Sequence, residues 1–273
     1  MRALSALALM LSCAVGQAAP QRIVSLNMCT DQLLIDLAEP RHIVGLSPFA
    51  RDPARAFEAT RAARFPILSG TAEEVMVIRP DLVVSSRYMK RETRQFITAR
   101  GLTLVEFDDP RTLAEARTQI AEMGRLLGVE TRASERLAAF DAALSELREA
   151  ASRKTLQILP LARRGWVAGS ETLLADLLRE AGLMNAAGAL GFKAGGFASL
   201  EAVIALKPDA LLLTRTEFRA EDQGQAILLH PAIQAMFPAE KRITLPERLT
   251  VCGGPMLTEA MRQLAREIRR LGR

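Results

Sequence analysis

Apolar and polar positions along the chain follow two alternating rhythms. Short runs rich in Val, Ile and Leu at 22–26 (RIVSL), 42–46 (HIVGL), 81–85 (DLVVS) and 103–107 (TLVEF) read as buried strands. Helix-period segments lie between them at 33–37, 71–78 and 91–99. Cys29, Thr30 and Asp31 offer capping chemistry before the first, Glu73 and Glu74 suit the first turn of the second, and Pro80 stops it. Strands that alternate with helices predict an open, mostly parallel α/β sheet. A long helical stretch then runs over 113–151, with Gly128 as its break. Its second half carries Ala133, Leu137, Phe140, Leu144 and Leu147 as one apolar stripe, and Arg132, Glu135, Arg136, Asp141, Glu146 and Arg148 as a solvated face. Without Pro or Gly, that half predicts a rigid spacer. The α/β rhythm restarts with strands at 155–159, 210–214 and 242–245 and helices at 171–181, 199–206 and 257–271, Gly182 capping the first of these helices.

The first residues stand outside this rhythm. Residues 1–19 join a positive start at Arg2, an apolar run from Leu4 to Val15 and a small-residue cleavage pattern at Gly16-Gln17-Ala18, which together read as a secretory signal peptide. The rival is a lipoprotein anchored at Cys13, although Met10-Leu11-Ser12 is a poor lipobox. The expected organisation is a signal peptide over 1–19, an N-terminal α/β lobe over 20–127, a connecting helix over 128–152 and a C-terminal α/β lobe over 153–273.

Composition removes several function classes. The 273 residues carry a net charge of +5, but the Arg residues are spread along the chain among Asp and Glu, so the basic stripe of a nucleic-acid protein is missing. Only two His are present, which argues against a His-rich metal site, and His42 and His230 read as structural. An exported α/β enzyme is the alternative class. It lacks a Gly-x-Ser-x-Gly elbow, since Ala168-Gly169-Ser170 has no second flank.

One segment occurs twice. Thr71-Ala-Glu73-Glu-Val-Met-Val-Ile-Arg79-Pro80-Asp81 matches Ser199-Leu-Glu201-Ala-Val-Ile-Ala-Leu-Lys207-Pro208-Asp209: a cap, a Glu, an apolar turn, a basic residue, Pro-Asp and a strand. With the RIVSL opening and the long helix between the copies, the mature chain resembles the single-helix-linked substrate-binding proteins of bacterial ABC importers, the cobalamin- and ferric-siderophore-binding family. The resemblance implies two Rossmann-like lobes around a ligand cleft and no catalysis. It also implies a cargo such as a siderophore iron chelate, haem or a corrinoid, with no resident cofactor. Glu73 and Glu201 match the family positions that pair with permease arginines. A periplasmic monomer is expected.

Ligands of open α/β sheets bind beyond the carboxyl ends of the strands. That rule selects Asn27, Cys29, Phe49, Arg51, Arg87, Tyr88, Trp166, Arg215, Arg248 and Cys252, with Arg163 and Arg164 nearby. The single Tyr and the single Trp of the chain fall in this set. Its arginines suit an anionic or chelated cargo. Cys29 and Cys252 remain as a pair after signal-peptide removal. A disulfide across the cleft, free buried thiols and a thiolate metal site are all open to them, although two Cys fall short of a four-ligand set.

Overall fold

The structure, a computed structural model, describes residues 19–151, 155–214 and 223–271. Two four-stranded parallel sheets organise it. The first is built from β1 (Ile23–Ser25), β2 (Ile43–Gly45), β3 (Leu82–Ser86) and β4 (Leu104–Phe107), in spatial order β2-β1-β3-β4. Helices α1 (Met28–Leu37), α2 (Ala59–Ala62), α3 (Ala72–Ile78) and α4 (Arg91–Ala99) connect these strands. β1 and β3 are buried at every position, Ser25, Ser85 and Ser86 included, as central strands of a sheet covered on both faces are. α1 is longer than the sequence pattern suggests. The Asn27 side chain caps it from outside, accepting from the N–H groups of Cys29 and Thr30.

Two antiparallel helices follow, α5 (Leu113–Leu127) and α6 (Glu130–Glu149). Gly128 ends α5 in the left-handed region at φ 67°, where a side chain would be strained. Beyond them come β5 (Gln157–Pro160), β6 (Trp166–Ala168), α7 (Leu173–Glu180), β7 (Met184–Asn185) and β8 (Gly195–Phe197). The chain closes with α8 (Leu200–Leu206), β9 (Ala210–Leu213), α9 (Ala226–Leu229), α10 (Pro231–Met236), β10 (Arg242–Thr244) and α11 (Met256–Leu271). The second sheet has the order β10-β9-β5-β7, and β6 and β8 form a separate antiparallel ribbon. Taken in chain order within each sheet, both sheets share one layout, with the first strand between the second and the third.

The repeat explains itself locally. Thr71 and Ser199 cap α3 and α8 through the N–H groups of Glu74 and Ala202. Arg79 and Lys207 end the two helices in the left-handed region at φ 52° and 48°. The carboxylate after each proline then ties the neighbouring strand: Asp81 accepts from the N–H groups of Gln21 and Arg22, and Asp209 from that of Gln157.

The two lobes are not independent units. One continuous core runs from Ile23, Leu33 and Val84 of the first lobe, through Met123, Phe140 and Leu147 of α5 and α6, to Ile158, Leu177 and Leu264 of the second. Each lobe adds an outer cluster, around Val75 and Val83 in one and around Val203 and Leu211 in the other. The charged face of α6 is solvent-exposed, as expected, and all of its charged residues named above except Glu135 also form ion pairs. Arg132 and Arg136 reach Glu39 and Asp36 in the first lobe, Asp141 pairs with Arg117 of α5, Arg148 with Glu180 of α7, and Glu146 with Arg262 of α11. Arg136 grips both oxygens of the buried Asp36 at 2.8 and 2.9 Å, and this pairing raises the guanidinium pKa further. The connecting helix is thereby clamped to both lobes.

Candidate functional site

A cleft of about 680 Å³ opens between the lobes, within the size range of small-molecule sites. Tyr88, Asp109, Pro110 and Arg111 form the wall on the first lobe, from the loops after β3 and β4. Trp166, Glu171, Lys193, Glu247 and Thr250 are among the residues of the opposite wall. The chain's single Tyr and single Trp therefore face one cavity from different lobes. A second hollow of about 770 Å³ continues behind Tyr88, Asp109 and Arg111 along α5.

The β6–β8 ribbon presents the Trp166 ring. Phe197, directly opposite Trp166 in the ribbon, meets it edge-on with ring centroids 5.1 Å apart. Such T-shaped pairs gain from the ring quadrupoles in addition to buried area. Gly195 stands under the indole at φ 150°, where a Cβ would come within 2.5 Å of the ring. Only glycine satisfies both constraints there.

The electrostatics of the cleft are mixed rather than uniformly basic. Lys193 pairs with Glu171 at 3.3 Å, and Arg55 with Glu247 at 3.3 Å. Burial, and then the neighbouring Asp108, raises the Asp109 carboxyl above its usual range. Asp108 itself is held by Arg87 at 2.6 Å.

The floor of the cleft is tied across the lobes. Cys29 and Cys252 form a disulfide with Cα atoms 5.2 Å apart. It packs into the shared core below Thr250 and Val251 rather than spanning the opening. The chain beside Cys252 touches the first lobe so closely that a Cβ on Gly253 would lie 2.2 Å from Pro110. The N–H of Leu113 donates to Asp176 of α7 at 2.8 Å, adding a second tie.

Of the other residues selected from the sequence, Arg87 lines the second hollow. Arg51 is turned away onto the backbone carbonyls of Ala62, Ala63 and Phe65, where it fastens the end of α2. Asn27 is occupied as the α1 cap, and the exposed Phe49 and Arg248 line neither hollow. Arg215 lies outside the described residues, as do Arg2 and Cys13. Asp109, Pro110 and Arg111 were missed although a signal existed: they follow β4 directly, and the strand-end rule applies to β4 as to the others. Lys193 and Thr172 carried no such signal, because they enter the cleft from the ribbon side and from a helix cap.

A family model described as periplasmic binding protein matches residues 23–247. This chain belongs to the periplasmic binding protein family. The exported-enzyme alternative falls with that membership, since the family and its structural neighbours bind solutes. The binding protein superposes on the periplasmic haem-binding protein RhuT from Roseiflexus sp. RS-1 with a TM-score of 0.76 and 26% identity, over 93% of this chain and 99% of that one. The haem-binding protein HutB of Vibrio cholerae shares the fold with a TM-score of 0.74 at 19% identity, over 91% and 98% of the two chains. A cobalamin-binding protein of Halobacterium salinarum is 25% identical over 175 residues, which are 62% of this binding protein and 46% of the relative. The binding protein thus matches about half the length of that relative.

Proposed function

We propose that this binding protein captures a bulky chelate, either an iron complex such as a siderophore or haem or a corrinoid, and delivers it to an ABC importer. The observation that carries this reading is the placement of Tyr88 and Trp166 on opposite walls of one inter-lobe cleft of about 680 Å³. Two flat rings facing a shared space suit a large planar or chelated cargo. Haem lies within this class, with the Tyr88 phenol, the only one in the chain, as its available oxygen ligand. Calorimetry with cobalamin, cobinamide, haem and ferric siderophores, read in parallel with Trp166 fluorescence, tests the reading. One member should bind and quench the indole; failure of every member refutes it.

Docking to the permease falls to Glu73 and Glu201. The repeat offers two glutamates in its first copy, and their environments separate them. Glu74 accepts from both the N–H and the hydroxyl of Ser69, whereas Glu73 is exposed with no partner among the described residues. Glu201 is likewise exposed, and its own N–H and the Ser199 hydroxyl hold its carboxyl below the usual range, so it is charged. Reversing both charges should abolish uptake and leave cargo affinity intact; surviving uptake overturns the assignment. Export to the periplasm through the signal peptide at 1–19 completes the proposal. Mass spectrometry of the mature N-terminus tests it against lipid anchoring at Cys13.

A further inference from the structure

Most cations at the cleft are already engaged. Lys193 is paired with Glu171, Arg87 with Asp108, and Arg163 makes contacts of its own. Arg111 differs. Its N–H donates to Glu115 at 2.6 Å, but its guanidinium has no partner among the described residues. Its position is also distinct. A third hollow, of about 300 Å³, is lined by Arg111, Glu115 and residues of α7. Among the described residues, Arg111 alone lines this hollow, the cleft and the second hollow together. The backbone that carries it is fixed from both lobes. Pro110 lies against Gly253, Thr112 caps α5, and the Leu113 N–H is bound to Asp176. Cargo binding need not order this backbone, so little affinity is lost to it. The neighbouring carboxylates leave the charge uncancelled. Glu171 is held by Lys193, and burial beside Asp108 disfavours the ionised form of Asp109.

We propose that Arg111 is the anion anchor that selects the cargo: the chelate carries a peripheral carboxylate, which the guanidinium grips in bidentate fashion where the three hollows meet. Neutral chelates of the same size bind less tightly. This inference rests on the cargo reading proposed above and narrows it to acidic chelates.

The test uses probe pairs that match in size and differ in charge: haem with its dimethyl ester, cobyrinic acid with its heptamethyl ester, and succinylated ferrioxamine with its methyl ester. Calorimetry reads each pair. In the class that binds, the acid should bind about ten- to hundredfold more tightly than the ester. Arg111→Gln should erase that preference by weakening the acid alone. Arg111→Lys should restore part of it, because an ammonium keeps the charge but not the fork. Thermal unfolding should be unchanged in both variants, since the guanidinium supports nothing in the fold. Arg269→Gln, at an exposed arginine of α11 away from the hollows, should change nothing. Equal affinity for acid and ester, or a preference that survives Arg111→Gln, overturns the anchor and leaves the cargo reading standing. If no member of any pair binds, the cargo reading fails and the anchor falls with it.

Discussion

The Cys29–Cys252 bond offers the most quantitative test of how the two lobes are joined. It closes a loop of 223 residues in sequence separation, so it encircles nearly all of both lobes. In the chain-entropy account, a cross-link stabilises by restricting the unfolded chain, as 2.1 + 1.5R ln n cal/mol/K. For this loop that gives about 5 kcal/mol at 25 °C as a ceiling. Replacing both cysteines by Ala should therefore cost roughly 3–5 kcal/mol. With a urea slope of about 2–3 kcal/mol/M, the unfolding midpoint should fall by about 1–2 M. The assay is urea unfolding of wild type with and without reductant, beside the double variant. Reductant should move the wild type onto the variant curve and leave the variant where it is. The folded baseline and cargo affinity should persist, because the shared core, the α6 ion pairs and the Leu113–Asp176 hydrogen bond still hold the lobes. An unchanged midpoint would refute the entropic reasoning. Lobes that separate on reduction, seen as an expanded radius in scattering before unfolding, would refute the claim that the core holds them.

Asp31 is fully buried, accepting hydrogen bonds from the Ser47 hydroxyl and N–H, and burial pushes its pKa up to about 7. The native state then holds this proton over a range where the unfolded chain has lost it. Unfolding free energy should fall as pH rises from about 4 to about 7, by about 4 kcal/mol in total from this group, and stay flat above; Asp31→Asn should remove that slope in denaturant titrations. Phe140→Ala empties a fully buried site on α6 between the lobes and should cost about 3–5 kcal/mol in the same assay, with thermal unfolding still a single transition. Phe197→Ala frees the edge of Trp166 and should red-shift its emission and weaken cargo binding several-fold, while global stability changes by less than about 1.5 kcal/mol.

Much of the local architecture is legible in the chain because its causes are local. Cap residues such as Thr71 and Ser199, the Gly128 break and the apolar runs of β1, β3 and β9 each act within a few positions. The elements that escaped were those with too little pattern to detect. β7 has two residues, and the β6–β8 ribbon is rich in glycine, so neither carries a readable period. The strand-end rule located Tyr88 near the cleft, and it led to Trp166 as a loop residue that in fact opens β6. It also selected Arg51, because sequence position does not reveal that a guanidinium is already committed to backbone carbonyls.

The sequence alone determined two α/β lobes of matching template, a stiff helix between them, and a carboxylate at the same place in each copy. It did so because helix periods, caps and Pro-Asp junctions are short-range physics repeated twice. Only the tertiary structure decided that the lobes share one core, that the exposed polar face of α6 also forms ion pairs to both, and that the cysteines meet beneath the cleft rather than across it. Those outcomes depend on contacts between residues tens to hundreds of positions apart. Their energy comes from how packed surfaces fit, which no local pattern encodes.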